Sequence, residues 1–216
     1  GRSHLHSFFG NTATNANSTA DSIANLGSST CFGGTANRTA YWVPSIIDTR
    51  DGVPVTPRTA IFYYKSGYRG VPPSQIREMP AGLRMISGDP RATGPQNDLF
   101  GDWTCAGLDG KSIPAGCPAG SILELEFEFP QCWNGRDLDS PDHRSHMAFA
   151  NPASGCPPAH PYPIPLISFN ISWVVPDANA TAAWRLSSDM YSGGPGGYSF
   201  HGDWFNGWDQ GIENIW

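Results

Sequence analysis

Five of the six histidines fall in three short groups, each beside an acid, an amide or a glycine. They are His4-Leu5-His6 running into Phe9-Gly10-Asn11, Asp142-His143-Arg144-Ser145-His146, and Phe200-His201-Gly202-Asp203; only His160 stands apart. Imidazole has an unperturbed pKa near neutrality and is the commonest protein ligand for metals. Paired histidines near carboxylates at three distant points of the sequence suggest one assembled site.

Each group admits a functional and a bland reading. On a strand, His4 and His6 project from one face about 6–7 Å apart, a spacing that suits two metal ligands or a base with its orienting partner. The bland alternative is a solvated terminal pair. The stretch Asp139–His146 packs two carboxylates, two imidazoles, a guanidinium and two hydroxyls into eight residues. It could equally be a polar loop held by its own hydrogen bonds, with Arg144 paired to an aspartate. The third group continues into Trp204, Asn206, Trp208 and Asp209, an alternation suited to the wall of a sugar site, where aromatic faces stack on pyranose rings and amide or acid groups meet hydroxyls. With eight tryptophans in the chain, several must simply be core.

These groups need elements to position them. The clearest strand is Ile122–Phe129, where Leu123, Leu125, Phe127 and Phe129 alternate with Glu124, Glu126 and Glu128. The run Ile164–Val175 alternates likewise, with Ile167, Phe169, Ile171, Trp173 and Val175 on one face and Ser168, Asn170 and Ser172 on the other, so that the sequon at Asn170 is expected to point to solvent. Further strands are expected over Tyr41–Ile47, Thr59–Lys65, Leu83–Ser87 and Ala183–Met190. Helix is scarce: Ser18–Leu26 forms a short one, capped by Ser18 or Thr19 and ended at Gly27. Gly88–Pro118, Trp133–Pro165 and Ser192–Gly202 read as long loops.

Composition sets the class and the compartment. The chain has 216 residues, 25 glycines and 20 prolines, with 12% aromatic and 15% charged residues, which indicates one β-rich domain with many turns rather than disorder. A formal charge of −6 without any basic cluster disfavours nucleic acid and anionic membrane surfaces as partners. Five cysteines without a C-x-x-C pair argue against a zinc ribbon or redox motif. Sequons at Asn17, Asn37, Asn170 and Asn179 together with dispersed cysteines fit a secreted protein. No apolar run reaches the roughly 18 residues of a membrane span and no signal peptide is seen, as expected of a mature secreted form. Two local disulfides, Cys105–Cys117 and Cys132–Cys156, would pin the long loops and leave Cys31 over, which suggests a partner chain or a trimmed end.

With those residues in view, the chain resembles the secreted fungal and actinobacterial proteins of domain of unknown function family 1996. The resemblance is carried by Ser3–Asn11, Ala40–Pro44, Ala81–Asp89, Phe129–Gly135, Asp139–His146 and His201–Asp209, and covers nearly the whole chain. It implies an extra segment before the first histidine pair, with a cysteine that would partner Cys31, and a cell-wall or polysaccharide setting, since in fungi the domain often sits beside carbohydrate-binding WSC modules. It carries over no catalytic residue.

The expected protein is a single domain over residues 1–216, all-β or β-rich, a β-sandwich or jelly roll with long disulfide-pinned loops. Its expected function is that of a secreted carbohydrate-active enzyme, a glycoside hydrolase or polysaccharide lyase. Asp142 and Asp203 would serve as carboxylates, and His4, His6, His143, His146 and His201 as acid–base or orienting groups. Arg144, Trp204, Asn206, Trp208 and Asp209 would bind substrate, Arg144 neutralising a uronate in a lyase. No cofactor is needed on that reading. The rival is a non-catalytic glycan-binding or metal-binding wall module, with His4, His6 and His201 holding zinc or copper.

Overall fold

The computed structural model describes residues 4–97, 100–191 and 193–213. In chain order its strands are β1 His6–Gly10, β2 Ala40–Pro44, β3 Ile46–Asp48, β4 Val53–Val55, β5 Thr59–Lys65, β6 Arg84–Gly88, β7 Gly101–Cys105 and β8 Leu108–Gly110. They continue with β9 Ile122–Glu128, β10 Cys132–Trp133, β11 Met147–Ala148, β12 Tyr162–Pro163, β13 Leu166–Val174, β14 Trp184–Leu186 and β15 His201–Phe205. The α-helices are short: α1 Ala20–Asn25, α2 Ala180–Ala183 and α3 Gln210–Glu213. Among the described residues no helix is long and apolar enough to cross a membrane.

Two antiparallel sheets carry the fold, one in the order β1-β2-β15-β6 and one in the order β5-β13-β9-β7-β8. Period-two alternation makes each apolar on one face, and those faces pack together. From the five-stranded sheet Leu123, Leu125, Phe127, Ile167, Phe169, Ile171 and Trp173 are buried, and from the four-stranded sheet Tyr41, Val43, Met85 and Trp204. Rings meet across the gap: Tyr41 stacks on Phe62 with centroids 3.8 Å apart, and Phe127 rests against Gly202, where an added Cβ would lie 2.5 Å from the ring. Glycine at 202 therefore lets the strand bearing His201 and Asp203 sit close on the core. Two small sheets, β14-β3-β4 and β11-β10-β12, flank this sandwich.

Several boundaries differ from the sequence expectation. Tyr41–Ile47 splits into β2 and β3 around Ser45, and Ala183–Met190 keeps only Trp184–Leu186 as strand after helix α2. The stretch Gly88–Pro118 is not one loop, because Gly101–Cys105 and Leu108–Gly110 form a hairpin at the sheet edge; Trp133–Pro165 likewise contains two short pairings with β10. The expected loop Ser192–Gly202 begins at a residue outside the described ones and ends inside β15, which starts at His201. The sequon at Asn170 is less open than expected, since Asn170 is half-buried and donates to Glu124 Oε1 at 3.2 Å, and Ser168 and Ser172 on the same face are buried. Asn37 is also buried, bonded to Tyr41 Oη, so that sequon has no room for a glycan in the folded protein.

Helix α1 follows its sequence signals, with Thr19 and Ser22 forming a capping box and Gly27 adopting φ +78°. Its Ile23 packs with Ala40 and Phe205 on the outer face of the four-stranded sheet. That covers one end of the face and leaves the other end to the histidines.

Both local disulfides form, Cys105–Cys117 and Cys132–Cys156, with Cα atoms 5.9 and 5.5 Å apart, and Cys31 is free and half-buried. The second closes the segment that contains Asp139–His146. Replacing Cys132 and Cys156 together by alanine is expected to cost about 3 kcal/mol, the chain-entropy value for a loop of this order. Urea unfolding measures it, and a loss below about 1 kcal/mol would mean that the crosslink contributes little to the unfolded-state constraint.

Candidate functional site

The outer face of the four-stranded sheet collects the chemistry. Strand alternation sends His6 and Phe8 outward from β1, since Phe9 packs against the core. On β15 it sends His201 and Asp203 outward, because Gly202 and Trp204 face inward. His4 precedes β1, but its segment is pinned: the Leu5 carbonyl accepts from Ser45 N–H and from Ser187 Oγ–H. The His4 and His6 rings lie 4.3 Å apart, and the His201 ring is 5.1 and 6.0 Å from them.

The ring nitrogens converge. One ligand-capable atom from each of His4, His6 and His201 lies within 4.8 Å of the others. The His201 Nδ1–H donates to the Ser199 carbonyl at 2.8 Å, which fixes the tautomer and turns the Nε2 lone pair toward His4 Nε2, 3.2 Å away. A tetrahedral metal with metal–nitrogen bonds of about 2.0–2.1 Å sets neighbouring ligand nitrogens about 3.3 Å apart. The backbone bond behind His201 is the kind of support that ligating histidines ordinarily have.

Burial also holds these rings neutral. It pushes the His201 pKa down to about 3, helped by the neighbouring His4, His6 and Arg144, and it pushes His6 down to about 4, with His4 adding to the effect. His4 is lowered by burial as well. Neutral imidazole is the form that binds metal. Beside them Asp203 is 5% exposed and burial raises its pKa to about 7, against the pull of Arg84 and Arg144. Among the described residues its carboxyl has no hydrogen-bonding side-chain partner.

The middle cluster contributes differently from its sequence expectation. His146 is buried with both nitrogens engaged: Nε2–H donates to the Arg84 carbonyl at 2.7 Å, and Nδ1 lies 2.8 Å from Ser140 Oγ. His143 pairs through Nδ1 with Asp139 at 2.6 Å. Asp142 Oδ1 accepts from Arg144 N–H, Ser145 N–H, Ser145 Oγ–H and Ser140 Oγ–H, which drives its pKa far down. The hydrogen bonds of these three residues hold the loop together. The loop runs along the β6 edge, its Leu138 and His143 carbonyls accepting from Arg84 and Ile86 N–H, and His160 Nε2–H braces it at the Ser145 carbonyl. What it delivers to the site is Arg144, close enough to His201 and Asp203 to act electrostatically on both.

The expected sugar wall is also displaced. Trp204 is fully buried and donates Nε1–H to Tyr64 Oη, Asn206 is buried on the carbonyls of Met79 and Pro80, and Trp208 packs edge-on against Tyr64. Asp209 caps the Gly211 N–H at the surface. The alternation that turns His201 and Asp203 outward turns Trp204 inward. Phe8 and Trp42, stacked at 5.5 Å, supply the outer aromatic surface instead, with Phe8 half exposed and 6.1 Å from His6. Period two from His6 to Phe8 was the signal in the sequence; Trp42 required knowledge of the strand pairing.

The chain matches the family described as Domain of unknown function (DUF1996) over residues 2–208, nearly its full length. The protein belongs to the DUF1996 family. No curated protein and no solved structure matches this DUF1996 chain, so its site has to be read from its own residues.

Proposed function

We propose that this DUF1996 protein is a secreted, metal-dependent enzyme that cleaves extracellular or cell-wall polysaccharide at a centre formed by His4, His6 and His201. One observation carries the reading: three neutral imidazoles present converging nitrogens, with His4 and His201 Nε2 separated by 3.2 Å. Three protein ligands with an open fourth position are the pattern of catalytic rather than structural zinc, and copper suits the same nitrogens. A metal there would supply an activated water at neutral pH. Asp203 stands two residues along β15 from His201 on the same outer face and, among the described residues, is bonded to no other side chain, so it is the carboxyl available to orient the attacking water. The Phe8–Trp42 surface on the same sheet face supports a sugar ring as the group bound. In the hydrolytic step the water oxygen bonds to the anomeric carbon, the glycosidic C–O bond breaks and a proton passes to the leaving oxygen.

The test pairs elemental analysis with a wall-polysaccharide panel. Protein stripped with EDTA and reloaded with zinc or copper is expected to hold about one ion per chain, and only the reloaded form should release new reducing ends. Failure to retain any ion at micromolar metal would sink the metal centre. Retained metal without new chain ends from any polysaccharide would leave a non-catalytic metal-binding wall module.

A further inference from the structure

Arg144 occupies an unusual position beside the histidine centre. Its backbone is fixed, with its N–H shared between Ser140 Oγ and Asp142 Oδ1 and its carbonyl accepting from Met147 N–H. The side chain is half-buried, and desolvation lowers its pKa. Yet among the described residues its guanidinium makes no hydrogen bond and no ion pair, although guanidinium carries five N–H donors. Three other arginines stand in ion pairs, Arg50 with Asp48 and Asp177, Arg69 with Glu128 and Arg136 with Asp137. Taking a guanidinium partly out of water without a partner is costly, and that cost is recovered when an anion arrives.

A second, independent feature points the same way. On the neighbouring strand Arg84 stacks over Trp42 and Phe205, and its Nε–H is buried without a partner. The charges of Arg84 and Arg144 both act on Asp203, which among the described residues is buried without a side-chain partner. Asp89, Asp203 and Asp142 act on Arg144 electrostatically, yet among the described residues none of them takes a hydrogen bond from its guanidinium, which keeps its donors open beside the uncharged imidazoles. Acidic oxygens complement those donors, while a neutral sugar leaves them unfilled.

We propose that Arg144 is the anion-recognition residue of this site and that the glycan it selects is acidic, its uronate carboxylate gripped by the guanidinium while the sugar lies toward Phe8 and Trp42. The planar fork of Arg matches a carboxylate in two parallel hydrogen bonds. Naming this substrate class rests on reading His4, His6 and His201 as the reactive centre, but anion capture by Arg144 requires no metal.

Calorimetry on the full chain tests this, in zinc-loaded and in EDTA-treated form. The probes are a uronic-acid tetrasaccharide, a neutral tetrasaccharide of the same length and inorganic phosphate. Wild type is expected to prefer the uronate over the neutral sugar. Arg144→Gln should lose roughly 10- to 100-fold in uronate affinity, as for a charge-assisted hydrogen bond, with neutral-sugar binding and zinc content unchanged. Arg144→Lys, which keeps the charge without the fork, should recover part of the loss and guards against a folding defect in the glutamine variant. Equal uronate affinity in wild type and Arg144→Gln would overturn the proposal, as would phosphate binding more tightly than the uronate. Should zinc fail to bind while uronate binding still depends on Arg144 in EDTA, the metal reading falls and the anion site stands.

Discussion

His6→Ala is expected to strip the protein of metal while leaving its fold intact. Removing a group that merely supports a ligand typically costs 10- to 100-fold in metal affinity, so removing a ligand itself should exceed about 100-fold. The fold should tolerate the change, because His6 lies half-buried at the start of an edge strand and its outward ring belongs to no apolar cluster. A surface substitution of that kind usually stays within about 0.5 kcal/mol. Thermal melts separate the two effects. Metal that binds only the folded state stabilises it by roughly 2.7 kcal/mol at a hundredfold excess over the dissociation constant. Wild type should therefore melt higher when zinc is added, whereas the variant should melt near the metal-free wild type at every zinc concentration. A zinc-dependent rise in the variant equal to that of wild type would remove His6 from the centre.

Phe127→Ala should produce the largest loss of stability, about 3–5 kcal/mol as for other buried phenylalanines. The ring is fully buried, with Phe129, Phe169 and Phe200 centroids 5.6, 5.2 and 6.1 Å away. It also fills the space above Gly202, so the cavity would open directly beneath the strand that bears His201 and Asp203. Glu126→Ala is the internal control: same strand, opposite face, exposed, and expected to change stability by no more than about 0.5 kcal/mol. Denaturant unfolding of both variants decides it, and a loss below about 1 kcal/mol for Phe127→Ala would contradict the packing of the two sheets.

Much of the frame was legible in the chain. Leu123, Leu125 and Phe127 against Glu124, Glu126 and Glu128 is a local alternation, and a strand converts it into an inner and an outer face without reference to anything distant. The disulfides were legible for a similar reason: each joins cysteines close in sequence, 12 and 24 residues apart. The ends of elements were less so. Phe200-His201-Gly202 reads as loop because glycine and flanking turn residues weaken the local signal, yet pairing with β6 makes His201 and Gly202 strand, and only the approach of Phe127 explains the glycine.

Residue types in the sequence determined that histidines, carboxylates and an arginine were available in three groups, and that His4 and His6 would share a face. They did not determine which groups would meet. His4 and His201 are 197 positions apart, and their contact exists because β1 and β15 flank the same strand β2. His146 has the same side chain as His201, but it met a carbonyl and a hydroxyl on its two nitrogens, whereas His201 met a carbonyl on one and the Nε2 of His4 on the other. Nor could Arg144 be distinguished from an ordinary loop arginine until the loop was laid along the β6 edge. A side chain's type is local, but its freedom to react depends on whether the fold has already satisfied its donors and acceptors, and that was settled only by tertiary packing.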